Sequence, residues 1–268
     1  MASNRGREPG PAIGARPGPQ FAWGILVLIA LVTTGWFTFR YLRAHTPRAR
    51  LTRAVRQIGN LYNPTFTHPQ PEKTNREARD ELRAFGAEAV PLLIKFAQSD
   101  PDLELRLGAI DALSEFPETR GQIVPALVSR LSNCQSFMEA GRLTSTLLAI
   151  SPADEPIPSG LKALLDSTDA CPRIHAAWFI LKREPRQNGA RAVIVAALAD
   201  VDISSRAVTA GQTHAALRAM SLLAELDPAD RAFAEPQLQS LAELDPDFTR
   251  GFSFLDTLRQ EAQRVVAK

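Results

Sequence analysis

The chain is poor in residues that carry out chemistry. It has two cysteines, Cys134 and Cys171, too few for a Cys₄ or Cys₃His zinc site, and no Cys-x-x-Cys pair. The four histidines, His45, His68, His175 and His214, are scattered, and a metal centre needs several convergent ligands. The phosphate-loop and dinucleotide glycine patterns, G-x-S-x-G and H-E-x-x-H are all missing, which removes the usual nucleotide, hydrolase and zinc-protease signatures. Alternating apolar and polar runs bounded by hairpin turns are missing too, so no strand is expected and the folded part should be all-α. No enzymatic activity, cofactor, metal or small-molecule substrate is expected from this inventory.

What is present suits a folded chain. Over 268 residues, 45% are hydrophobic and 22% charged, which excludes wholesale disorder, collagen and a disulfide miniature. The net charge of +2 conceals an asymmetry. Residues 1–75 carry a balance of +8 and residues 76–268 a balance of −6. An acidic body is a poor candidate for gripping phosphate backbones, so no nucleic-acid partner is expected.

Residues 1–20 are rich in Gly and Pro and read as a disordered tail. Residues 21–41 hold the uncharged run Phe21 to Phe39, 19 residues long. At about 1.5 Å per residue it matches a hydrocarbon core of roughly 30 Å, so a single transmembrane helix is expected. Trp23, Trp36 and Tyr41 stand near its ends, where amphipathic rings favour the headgroup zone. Arg5, Arg7 and Arg16 precede the run, whereas Arg40, Arg43, Arg48, Arg50, Arg53 and Arg56 follow it. That excess places the C-terminal body in the cytoplasm; a periplasmic or other extracytoplasmic body is the alternative. The six downstream arginines are the expected membrane-surface residues. They belong to a basic amphipathic segment, 42–62, in which Leu51, Val55, Ile58 and Tyr62 share a face. That face suits either anionic lipid or the first packing helix of the body. A Pro-rich linker, 63–75, follows.

The body, 76–268, repeats itself. Val90-Pro91 recurs as Val124-Pro125 and Ile157-Pro158. Each pair opens an amphipathic helix pattern, with its proline expected in the first turn, where the missing N–H has no helical partner. A second helix follows in each copy, with Arg106, Arg142 and Arg173 early and Phe116-Pro117, Ser151-Pro152 and Glu184-Pro185 as stops. A fourth copy, with a second helix from about Thr213 to Leu226, lacks the opening proline. A last hairpin pairs Gln237 to Leu244 with a helix from about Phe252 to Val266. The expected architecture is a short α-solenoid of about four to five helical hairpins.

With those motifs in view, the body resembles HEAT-repeat proteins. The carriers are Gly86-Ala87-Glu88-Ala89-Val90-Pro91-Leu92-Leu93, Ile123-Val124-Pro125-Ala126-Leu127 and Arg106-Leu107-Gly108-Ala109-Ile110-Asp111-Ala112-Leu113. Tetratricopeptide repeats have a similar period, but their aromatic signature positions are missing: both tyrosines, Tyr41 and Tyr62, precede the body. The resemblance implies a scaffold or adaptor for protein partners, here a membrane-anchored one, such as an accessory subunit of a membrane complex. A HEAT-shaped enzyme or a chromophore-handling protein like the bilin lyases is the alternative. The repeated His-Glu pairs of HEAT-shaped iron hydroxylases are absent.

Solenoids present polar positions of their helices to partners, which nominates Asp111, Glu115, Glu139, Arg142, His175 and Arg218. His175 and Trp178 share one helix face, either as part of such a surface or as packing. Cys134 and Cys171 both fall near turns between paired helices, which would stack along one edge. They are then either a disulfide, implying an oxidising compartment, or two buried thiols.

Overall fold

The computed structural model describes residues 32–33, 36, 46–60, 71–201, 210–244 and 253–267. It divides into two compact units, Met1–Arg50 and Leu51–Lys268. Among the described residues the fold is helical and holds no strand. None of these helices is long and apolar enough to cross a membrane. The expected span, 21–41, lies outside them except for Val32, Thr33 and Trp36, which are helical. Arg40, Arg43 and the tail 1–20 also lie outside.

Helix α1, Pro47–Asn60, starts where Thr46 Oγ1 accepts the Ala49 amide at 3.3 Å, a capping hydroxyl followed by a proline at the first helical position. In its second part Leu51, Ala54, Val55 and Ile58 are fully buried in the core of the larger unit. Of the two readings of this face, the packing helix is the one observed. The partner is α4, Leu103–Ala112. There the backbones come so close that a Cβ on Gly59 would lie 2.0 Å from the Glu104 carbonyl oxygen, and one on Gly108 2.1 Å from that of Val55. Arg56 donates to Asp102 Oδ2 at 3.0 Å across the same contact, while Asp102 also caps α4 by accepting the amides of Glu104 and Leu105. Against the upward push of burial, Arg56 and these two amides hold the Asp102 carboxyl below the usual range.

Helix α2, Pro71–Phe85, begins inside the stretch expected as linker, because a proline followed by helix formers starts a helix as readily as it ends one. Gly86, at φ 65°, terminates it in the left-handed region. A 3₁₀ turn, Gly86–Ala89, leads into α3, Val90–Ser99. After α4 come α5, Arg120–Ser132; α6, Phe137–Ile150; the short α7, Ser159–Ala163; and α8, Ala170–Arg183. Next are α9, Asn188–Ala199; α10, Ala210–Leu223; the single turn α11, Pro228–Arg231; α12, Glu235–Ala242; and α13, Ser253–Val266.

The three repeat prolines do not occupy one position. Pro91 sits in the first turn of α3 as expected. Pro125 lies inside α5, because Arg120, Gly121 and Gln122 add a turn ahead of it. Pro158 stands just before α7 in extended conformation. The stop signals hold: helical structure ends at Glu115, Ile150 and Arg183, each two residues before a proline.

Consecutive helices pair as α3–α4, α5–α6, α7–α8, α9–α10 and α12–α13. Each first helix also touches the next first helix, with the 3₁₀ turn Leu164–Asp166 after α7 completing the row, and each second helix touches the next second helix. The inner members of the second row are therefore enclosed. Leu107 to Leu113 are all buried in and just after α4, and Ile174 to Leu181 are all buried in α8. A helix without a solvent stripe is one with neighbours all round.

Two of the three repeated arginines, Arg106 and Arg173, share a structural role. Arg106 Nη1 donates to the Asp100 carbonyl at 2.7 Å and Arg173 Nη1 to that of Ser167 at 3.1 Å. Arg191 Nε likewise reaches the Pro185 carbonyl at 2.7 Å. Each arginine turns back six residues and satisfies the loop that precedes its helix. Arg183 does the same across repeats, donating to the carbonyls of Ser151, Pro152 and Glu155.

Candidate functional site

The six nominated side chains divide into two groups. Glu139 is an internal ion-pair residue and not a surface one. Its side chain is 3% exposed, and it accepts from Arg130 Nε at 2.7 Å with Arg106 Nε 3.5 Å away. Arg130, on α5, belongs to the same repeat as Glu139, on α6, whereas Arg106, on α4, belongs to the preceding one; the triad ties the two repeats together. The hydrogen bond from Arg130 to Glu139 outweighs burial and raises the Arg130 guanidinium above its usual range. Glu115 pairs with Arg79 and Arg83 of α2. Asp111 is buried and has Arg142 Nη1 at 3.9 Å. Buried charges are kept only when paired, which is why polar residues on these helices turn inward.

Arg142 and Arg218, with His175 beneath, form the other group. Residues Phe137, Met138, Gly141, Arg142 and Ser145 of α6 and Arg218 of α10 line an open cavity of about 380 Å³. Arg218 Nε faces His175 Nε2 at 3.4 Å. The guanidinium lies directly over Gly141, where a Cβ would be 2.7 Å from Arg218 Nη2 and 3.6 Å from His175 Cε1. A glycine inside a helix costs about 1 kcal/mol relative to alanine. Here it makes the space that the guanidinium fills. Among the described residues Arg218 forms no ion pair, unlike Arg79, Arg83, Arg106, Arg120, Arg130 and Arg142. Burial lowers the Arg218 guanidinium from its usual range, with Glu225 and Cys171 pulling the other way.

His175 is fully buried. Its Nδ1 lies beside the Phe137 backbone without completing a hydrogen bond, and its ring is tilted against that of Phe137 with centroids 6.1 Å apart. Burial, assisted by the Arg218 charge, pushes its pKa down to about 3. The imidazole is therefore neutral at ordinary pH, and its Nε2 lone pair faces the Arg218 Nε–H. Trp178 is buried on the same helix, with Lys182 Nζ 5.6 Å above its ring. Both members of the His175–Trp178 pair are packing residues.

The histidine makes a pH prediction. An unfolded histidine titrates near 6.5, so below that pH the unfolded chain binds a proton that the folded one refuses. Stability is complete above pH 6.5 and falls as pH drops towards 3, by about 1.4 kcal/mol per unit. Urea unfolding at pH 7 and pH 5 is expected to differ by about 2 kcal/mol from this group. His175→Gln keeps an acceptor for Arg218 and should flatten that slope; an unchanged slope in the variant refutes the assignment.

The two thiols are neighbours, as the stacked turns suggested. Both are buried and free. Interaction with Cys134, then burial, raises the Cys171 thiol, whereas the interaction with Cys171 lowers that of Cys134. Among the described residues no cluster of His, Cys, Asp or Glu can hold a metal ion.

Of the expected membrane-surface arginines, Arg56 is engaged with Asp102. Arg48, Arg50 and Arg53 are exposed side chains of α1. Phe137, Met138 and Gly141 carry no sequence expectation, and Ser145 reads in sequence only as a small residue that lets a neighbouring helix approach. The available signal was Gly141, a glycine inside a helical pattern, which marks a close approach.

Comparison of this chain with protein-family models, with curated proteins and with solved structures finds no match. What the described residues define is a geometry: helices paired in sequence, with an arginine-lined cavity between α6 and α10.

Proposed function

We propose that the protein is a membrane-anchored helical-repeat scaffold of HEAT-like architecture that holds a protein partner, such as a subunit of a membrane complex. The observation that carries this reading is the contact order of the helices. Among the described residues successive pairs contact one another along two rows, which supports a solenoid, the arrangement that builds extended binding faces. The charged residues inside the stack serve to join one repeat to the next, as Glu139 does. The reading is of a protein that offers shape and not reaction chemistry.

The anchor is the apolar stretch 21–41, flanked by the basic stem. Val32 and Trp36 are helical and 63% and 58% exposed, which suits side chains that face lipid. The body lies in the cytoplasm in this reading, following the arginine excess downstream of the span.

Affinity purification from membranes in mild detergent tests the scaffold. The full chain is compared with a chain ending at Arg50, which keeps the anchor and lacks the larger unit. Proteins that co-purify with the full chain only are expected; identical sets refute a scaffold role for the repeats. Protease treatment of sealed, inside-out vesicles should digest the body, and protection of the body would reverse its sidedness.

A further inference from the structure

We propose that the cavity between α6 and α10 receives a carboxylate side chain of the partner polypeptide, taken end-on by Arg218, with an adjacent apolar side chain resting on Phe137 and Met138. This deepens the scaffold reading and rests on it. Four observations converge. Arg218 is half-buried beside a cavity of about 380 Å³ and forms no ion pair among the described residues, Glu225 acting on its charge without touching it. Gly141 is the residue that admits the guanidinium, since any side chain there would meet Nη2. His175 occupies the Nε side, so the remaining Nη1–Nη2 edge is the one free to bind, the edge that pairs with carboxylates through two parallel bonds. The rim carries Met138, one of the exposed large apolar side chains of the chain at 50%.

The charge balance selects the ligand. The lining residues include two arginines and no acid, in a body whose balance is −6. Arg142 already has Asp111 nearby, which leaves Arg218 as the arginine with no carboxylate in contact, Glu225 acting on it only at a distance. That matches a monoanionic carboxylate better than a dianionic phosphate. The open cavity and its apolar rim favour a side chain presented on a polypeptide over a free small acid, which would leave Phe137 and Met138 uncovered.

The test uses the full chain in detergent and rhodamine-labelled dodecapeptides with blocked ends. Each carries one Glu or Asp flanked by Leu, Phe or Met, beside a twin with Gln or Asn in its place. Fluorescence anisotropy is expected to show at least one acidic peptide binding about tenfold more tightly than its amide twin. Arg218→Gln and Gly141→Leu should abolish that preference. Arg218→Lys, which keeps the charge without the fork, should retain only part of it. A second readout separates function from structure: burial is the largest influence on the Arg218 charge and disfavours it, so the thermal midpoint of Arg218→Gln should equal or exceed that of the parent.

The inference is overturned if no acidic peptide outperforms its amide twin, if Arg218→Gln binds as the parent does, or if that variant melts lower. It is also overturned if acetate or inorganic phosphate binds with the peptide's affinity. Any of these, with a co-purifying set that still depends on residues 51–268, removes the subsite and leaves the scaffold standing. Loss of that dependence removes the scaffold.

Discussion

Glu139→Ala is expected to lower the stability of the larger unit by about 3 kcal/mol. The carboxylate is almost completely buried, and two guanidinium groups lean on it, Arg130 at 2.7 Å and Arg106 at 3.5 Å. Removing it leaves two positive charges facing each other in a poorly solvated seam, and breaking a buried pair from one side costs about 3–5 kcal/mol. The lower end applies because each arginine also donates to carbonyls, Arg106 to Asp100 and Arg130 to Gln98, and because both side chains are about one-fifth exposed. Glu139→Gln, which retains an acceptor oxygen, should lose less. The control is Glu155→Ala. Glu155 pairs with Arg120 where both are more than 40% exposed, so that change should cost less than about 1 kcal/mol. Guanidinium chloride unfolding measures all three. A Glu139→Ala loss no larger than that of Glu155→Ala would show that the seam is solvated in solution.

Gly108→Ala should cost about 2–3 kcal/mol, although alanine is the better helix former by about 1 kcal/mol. The sign is decided by what the new methyl meets. It would lie 2.1 Å from the Val55 carbonyl oxygen and 2.9 Å from the Gly59 nitrogen, both backbone atoms of α1. Backbone atoms cannot rotate away, so α1 must move off α4. Hydrogen exchange locates the damage. Amides of 51–60 are expected to lose protection in the variant, while those of α8 and α9 keep theirs. Gly59→Ala acts on the same contact from the other side, so the double variant should cost less than the two single losses together. A Gly108→Ala protein as stable as the parent, with α1 still protected, refutes the close crossing.

The two glycines show how much of this protein can be read from its residues. Leu51, Val55 and Ile58 reveal a helix with one apolar face, and arginines elsewhere on it suggest lipid as readily as protein. Periodicity states that a face must be covered; it does not state by what. The covering surface, α4, lies some 50 residues away in sequence, and the pairing is set by two glycines whose significance appears only once the backbones are placed together. The expected site shows the same division. Second-helix polar positions were assigned to a surface because helices normally keep polar residues in water. In a row of helices enclosed on several sides that assumption fails for Asp111, Glu139 and His175, which are buried.

The stop signals are sound because their physics is local, whereas of the three opening prolines only Pro91 sits in a first turn. Proline stops end helices because they restrict the preceding residue, and Phe116-Pro117, Ser151-Pro152 and Glu184-Pro185 do so here. Amphipathic spacing placed the helix pairs, the absence of alternation removed strands, and the apolar leader is a property of composition alone. Which charge meets which was decided by tertiary structure, because an ion pair depends on distances between segments that the chain brings together only when folded. Arg218 illustrates this most directly. In sequence it is one arginine among many; in the fold it is half-buried beside a cavity, over a glycine, with no acid in contact among the described residues.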